Sequence, residues 1–168
     1  MPLIIHYPLF IIHYPLFIIN YTLYINMEAR QEFYEVLKKR LLDKGLVKQV
    51  GLWNQDTEFF ETDEVVDAPA VLVEYGPMEW SVLTGGSMKT DVEVRLHILT
   101  VWNSESDDKT AWQLSQSIMR LMALLKEQSA GDSFAVLRPV ATLTNGSHGN
   151  ILESIDTYMV RFYAEFRP

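Results

Sequence analysis

The sequence predicts an α+β protein in which two helices cover a mostly antiparallel sheet, with the elements in the order α-β-β-β-α-β-β. Apolar residues recur at helical spacing in two segments, one directly after Met27 and one at about 108–129. Apolar and polar residues alternate in two others, 91–102 and 152–166, as in strands with one buried face. Runs of strands between the helical segments favour the α+β class.

The first half of the chain contributes one helix and two strands. The residues at helical spacing are Phe33, Val36, Leu37, Arg40 and Leu41. Lysines lie late in this helix, where cations interact favourably with its dipole, and Gly45 suits the position just after its end. Segment 46–54 (LVKQVGLWN) predicts the first strand. Ala70–Tyr75 (AVLVEY) predicts a short buried strand that Gly76-Pro77 ends.

The second half contains the most regular strand. Before that strand, segment 80–90 (WSVLTGGSMKT) predicts a strand edge followed by a mobile Gly-Gly turn. In DVEVRLHILTVW (91–102) one face carries Val92, Val94, Leu96 and Ile98, and the other carries Asp91, Glu93, Arg95 and His97. The second helix places one apolar stripe toward the core, made of Ala111, Leu114, Ile118, Leu121, Met122 and Leu125. We also expect Trp112 and Met119 to be packing residues. The last two strands are predicted at Ser133–Leu143 and Leu152–Phe166.

Composition limits the function classes that fit. At 168 residues the chain is long enough for one domain with a substantial core. It has no Cys, which excludes disulfides, thiolate catalysis and zinc sites with Cys ligands. The net charge is −8, and segment 56–67 holds six acidic residues and no basic one. We therefore expect no stable binding of DNA or RNA through a broad basic face.

Residues 4–24 repeat one seven-residue unit almost three times: IIHYPLF IIHYPLF IINYTLY. The uncharged run has the length of a membrane span, but Pro8 and Pro15 would each remove a helical hydrogen bond. A period of seven would also send equivalent side chains to opposite faces of a strand. No regular element benefits from this repetition.

We therefore divide the chain into a leader, 1–26, and a single α+β domain, 27–168. The favoured interpretation is that the leader translates a short tandem DNA repeat upstream of the start at Met27. An assembly arm and a membrane-associated segment remain the alternatives.

No catalytic, cofactor or metal motif is visible. TGGS lacks the Lys and the following helix of a phosphate loop, and the four His residues form no spaced ligand set. His97 shares a strand face with Glu93 and Arg95, which predicts a solvated face or a subunit contact. We expect no enzyme activity, no cofactor and no metal.

The order of elements and several phrases carry a family resemblance. These are VKQVGLWNQD, DAPAVLVEYGPMEW, DVEVRLHILTVW, the Leu/Met-rich helix and DTYMVRFYAEFR. Over about 28–168 the chain resembles the small head–tail joining proteins of long-tailed phages and prophages, the tail-completion and tail-terminator group. The resemblance implies a non-enzymatic subunit of a ring, usually a hexamer, that ends the tail tube or joins it to the head connector. It also implies contacts with other tail or connector proteins, and a place in the tail or neck of the virion after assembly in the host cytoplasm.

Candidate subunit contacts fall into two groups. Apolar residues around the Gly-Gly turn are Met78, Trp80, Leu83 and Met88. Charged residues on the two long strands are Glu93, Arg95, His97, Arg161, Glu165 and Arg167. Trp80 and Leu83 have a competing interpretation, in which they pack back onto the sheet. Two other functions stay open: a small enzyme using Glu93, His97 and Arg161, and a membrane-associated protein anchored by residues 1–26.

Overall fold

The computed structural model describes residues 29–53, 67–101, 106–128, 133–148 and 151–165. Within these residues the α+β class is confirmed, with two helices and a mostly antiparallel six-stranded sheet. The leader lies outside the described residues, and so does the acidic segment apart from Asp67.

The elements follow the predicted order with one addition. They are α1 (29–43), β1 (Gln49–Leu52), β2 (Ala70–Tyr75), β3 (Ser81–Val82), β4 (Ser87–Val101), α2 (Ser106–Gln128), β5 (Phe134–His148) and β6 (Ile151–Glu165). The addition is β3, a two-residue strand at the predicted strand edge, so four strands separate the helices. A 3₁₀ turn at Thr84–Gly86 joins β3 to β4.

Two strands are longer than the sequence indicates because pairing extends them. β4 begins at Ser87, where it pairs with β6 on one side, and Met88 then pairs with Val82 of β3 on the other. β5 runs past Leu143 to His148 because it stays paired with β6 through several register shifts. Alternation of apolar residues cannot indicate such extensions, since the added segments, 87–90 (SMKT) and 144–148 (TNGSH), are mostly polar and show no apolar alternation.

The sheet has the strand order β1-β2-β4-β6-β5, and β3 pairs with the start of β4. β1 and β2 are parallel, and the other pairs are antiparallel. Each of β4, β5 and β6 has 15 residues. At about 3.3 Å per residue, the central strands span roughly 45–50 Å.

The core lies between one face of the sheet and the two helices. The predicted face of β4 and the predicted stripe of α2 are all buried there, as expected. Phe33 of α1 makes edge-to-face contacts with Phe134 and Phe162, at ring-centroid distances of 5.2 and 5.9 Å. These contacts join α1 to β5 and β6, and the Tyr34 hydroxyl donates to the Val50 carbonyl of β1, so α1 crosses the sheet.

A polar contact also holds α2 in place. Asp156 of β6 is 1% exposed and accepts hydrogen bonds from Ser115 of α2 and Thr142 of β5, at 2.8 and 2.7 Å. A buried carboxylate is costly unless it is hydrogen-bonded, and here both oxygens have partners. One buried group therefore connects two strands and a helix.

Candidate functional site

The sheet face away from the helices carries a charged cluster centred on His97. Alternation along β4 directs His97 to this face, where it lies between Leu72 of β2 and Ile155 of β6 in the strand register. Its two ring nitrogens approach carboxylates from the neighbouring strands. Nδ1 lies 2.6 Å from Glu153 Oε1, and Nε2 lies 3.1 Å from Glu74 Oε2.

The cluster is closed on its outer side by an aromatic ring. The Trp53 ring, at the end of β1, stacks on the His97 imidazole with centroids 3.9 Å apart and planes 2° from parallel. Trp53 keeps its place because its backbone N–H donates to the carbonyl of Val73, which continues the parallel pairing of β1 and β2. His97 is consequently 4% exposed. The expectation of a solvated face is wrong at this position.

The charges in the cluster compensate one another. Arg95 donates to Glu74 at 3.2 Å and lies 3.7 Å from Glu93. Ionised carboxylates only accept hydrogen bonds, so both His97 contacts are hydrogen bonds when both ring nitrogens carry a proton.

The surroundings of Glu74 shift its acidity. Burial acts to raise the pKa of Glu74, but the hydrogen bond from His97 and the charge and hydrogen bond of Arg95 outweigh burial, and the pKa is lowered. Both His97 nitrogens are occupied and its ring is covered. The arrangement therefore suits holding β1, β2, β4 and β6 together better than binding a substrate.

Arg161 belongs to a separate ion pair. It lies opposite Asp91 in the β4–β6 register, and its Nε and Nη2 donate to the two Asp91 oxygens at 2.6 and 2.8 Å. The hydrogen bond from Arg161 lowers the pKa of Asp91, and the same bond raises the pKa of Arg161. Asp91 and His97 are six residues apart along β4, or about 20 Å. Glu93, His97 and Arg161 thus do not meet in one pocket.

The apolar candidates around the Gly-Gly turn divide into two kinds. Met78 and Trp80 pack against the main core, and Met88 is half-buried in the β3–β4 pair. Leu83 is 37% exposed at the tip. Trp80 therefore packs back onto the sheet, as the competing interpretation expects. The Glu165 side chain and Arg167 lie outside the described residues.

Sequence reasoning missed an apolar stripe on the outer side of α2. Trp112 and Met119, seven residues apart and so on one side of the helix, are 65% and 40% exposed. The expectation that they pack into the chain's own core is wrong. Periodicity identifies the strongest apolar stripe of a helix, but it does not indicate that neighbouring apolar residues face outward.

An open groove of about 410 Å³ lies beside α2 at the end of β4. Its apolar lining comes from Leu46, Pro69, Val101 and Leu114, and its polar lining from Thr100, Thr110, Gln113 and Ser117. These lining residues, which belong to the described part of the chain, carry no charge, so this neutral groove suits an occupant with apolar groups.

Two kinds of feature are absent from the described ranges. They contain no group of three or more His, Asp or Glu residues placed to hold a metal ion. No helix within them combines the length and hydrophobicity needed to cross a bilayer.

No protein-family model matches this chain, and no curated protein sequence matches it.

Proposed function

We propose that the protein is a non-enzymatic structural subunit of a phage or prophage tail. Copies of it form a ring, most simply a hexamer, that terminates the tail tube or joins it to the head connector. Its partners are further copies of itself and neighbouring tail or connector proteins. It acts in the tail or neck of the virion and assembles in the host cytoplasm. The proposal draws on the sequence resemblance over 28–168 and on the surfaces that the fold leaves exposed.

The observation that carries the proposal is the outer stripe of α2. Trp112 and Met119 lie two turns apart on one side of α2, and a monomer gains nothing from leaving most of a Trp side chain in water. Trp is also among the residues that contribute most to binding when an interface covers them. Trp112 and Met119 together therefore favour a protein that works by assembly.

The charged groups that join the strands of the described protomer fit the same role. Its charged clusters are used to hold strands together: His97 with two carboxylates, and Arg161 with Asp91. Ion pairs of this kind fix strand register and keep a subunit rigid. A ring that bears on a tail tube needs such rigidity more than it needs an open site.

Light scattering coupled to size exclusion tests the proposal on the full chain. We expect an assembly of discrete mass, and we expect Trp112→Gln to shift the population toward smaller species at equal concentration. Leu42→Gln is the matched control, because Leu42 is an exposed apolar residue on the other helix. Circular dichroism should show unchanged folding for both variants. A Trp112→Gln protein that assembles like the unmodified chain would remove this support.

A further inference from the structure

The β3–β4 tip presents apolar side chains that the protomer does not cover. Val82 is 76% exposed, and Leu83 beside it is also exposed. The segment 81–87, SVLTGGS, contains no charged residue. An uncharged tip of this kind loses little when it leaves water, because it has no ion to desolvate.

The backbone holds this tip in a defined shape. Gly85 and Gly86 have φ angles of 78° and 81°, a left-handed conformation that residues with a Cβ rarely adopt. The Leu83 N–H donates to the Ser87 carbonyl at 2.7 Å, and Val82 pairs with Met88. The tip is therefore a structured hairpin end, and inserting it into a partner would require little ordering.

The neutral groove lies at the other end of the same strand. β4 begins at the tip, with Ser87, and ends at the groove, with Thr100 and Val101 in its lining. Fourteen residue steps separate Ser87 from Val101, which is about 45 Å. A single protomer therefore cannot place its own tip in its own groove.

We propose that the β3–β4 tip of one copy inserts Val82 and Leu83 into the neutral groove of the next copy. The two surfaces match in chemistry, because segment 81–87 and the described lining of the groove are uncharged and both combine aliphatic side chains with hydroxyl groups. The groove volume is sufficient for two branched aliphatic side chains. The contact joins different surfaces on the two copies, so it is head-to-tail and leads to a closed ring or an open filament. Closure into a ring rests on the proposed function, whereas the contact itself does not.

Engineered cysteines test the contact directly, because the native chain has none. In the full chain we combine Val82→Cys at the tip with Gln113→Cys at the groove. Gln113 is exposed on α2, and neither substitution removes a core residue. Under mild oxidation we expect a ladder of covalent oligomers on a non-reducing gel. Mixing the two single variants should give one crosslinked dimer and nothing larger.

Two controls keep the result specific. The pair Val82→Cys with Leu42→Cys places the second thiol on α1, outside the groove, and should give no ladder. Thermal unfolding of each variant should match that of the unmodified chain.

The outcomes separate the contact from the ring. A discrete assembly by light scattering without a crosslink ladder would overturn the tip-in-groove contact and leave the ring proposal standing. A ladder from a protein that forms only open chains of variable length would support the contact and contradict the ring. A monomer that gives no ladder would contradict both.

Discussion

At the scale of single residues, His97 shows best how the chain uses its charges. On a half-exposed strand it would be an ordinary solvated side chain. The strand register brings Glu74 and Glu153 to its two nitrogens, and Trp53 covers its ring. The sequence places Glu93, Arg95 and His97 on one face, but nothing local indicates which residues of β2 and β6 will lie beside them.

Replacing His97 with Leu should destabilise the protein strongly. The change leaves the Glu153 carboxylate buried without the hydrogen bond from His97. Breaking a buried pair by removing one partner costs about 3–5 kcal/mol. Urea unfolding at fixed protein concentration measures the loss. Glu93→Gln is the control, because the Glu93–Arg95 pair is largely exposed and should contribute less than about 1 kcal/mol. Equal stability of the two variants would contradict the structural role of His97.

The stability of the fold at acid pH should depend on the ionisation of Asp91 and Glu74. Both pKa values are lowered in the fold, from ordinary values of 3.8 and 4.5. A lowered pKa means that the stabilisation is fully present above the unfolded-state value and is lost as pH falls through the folded-state value. We expect urea midpoints to decline between about pH 5 and pH 3.

Asp91→Asn separates the contribution of one pair. Above about pH 5 this variant should be less stable than the unmodified chain, and the difference should shrink toward zero as pH falls. A difference that stays constant down to pH 3 would show that the Asp91–Arg161 pair does not contribute through ionisation.

At the scale of elements, the sequence indicates more about the helices and strands than about their partners. The core stripe of α2 and the core face of β4 follow directly from periodicity, and both are buried as predicted. β4 and β5 extend beyond their predicted bounds, because pairing between strands sets where they end. Trp112 adjoins Ala111 of the core stripe, and the sequence pattern alone does not show which side of the helix is covered.

The hydrogen bond from Ser115 to Asp156 connects α2 to the sheet, and its contribution to stability can be measured. Ser115→Ala removes the hydrogen bond to buried Asp156, and bonds to charged groups contribute about 1.5–3 kcal/mol. Ser117→Ala is a close control on the same helix, because the Ser117 hydroxyl bonds only the Gln113 carbonyl within α2. Both variants gain the same helix propensity. Chemical unfolding should show Ser115→Ala to be the less stable of the two. Equal unfolding midpoints would contradict a stabilising role for the Ser115–Asp156 hydrogen bond.

At the scale of the whole molecule, the proposed assembly uses three distinct surfaces. The tip and the groove are at opposite ends of β4, and the outer stripe of α2 lies on the helical layer. A subunit with several distinct apolar surfaces suits an assembly in which each copy meets more than one neighbour. None of these surfaces has a sequence motif, because exposure depends on what the rest of the chain leaves uncovered.

Electron microscopy of the purified full chain shows directly whether its copies close into a ring. We expect closed rings of one size, with a solution mass close to six times the 19.4 kDa of one chain. Single subunits at every concentration, or open filaments without closed particles, would contradict closure into a ring.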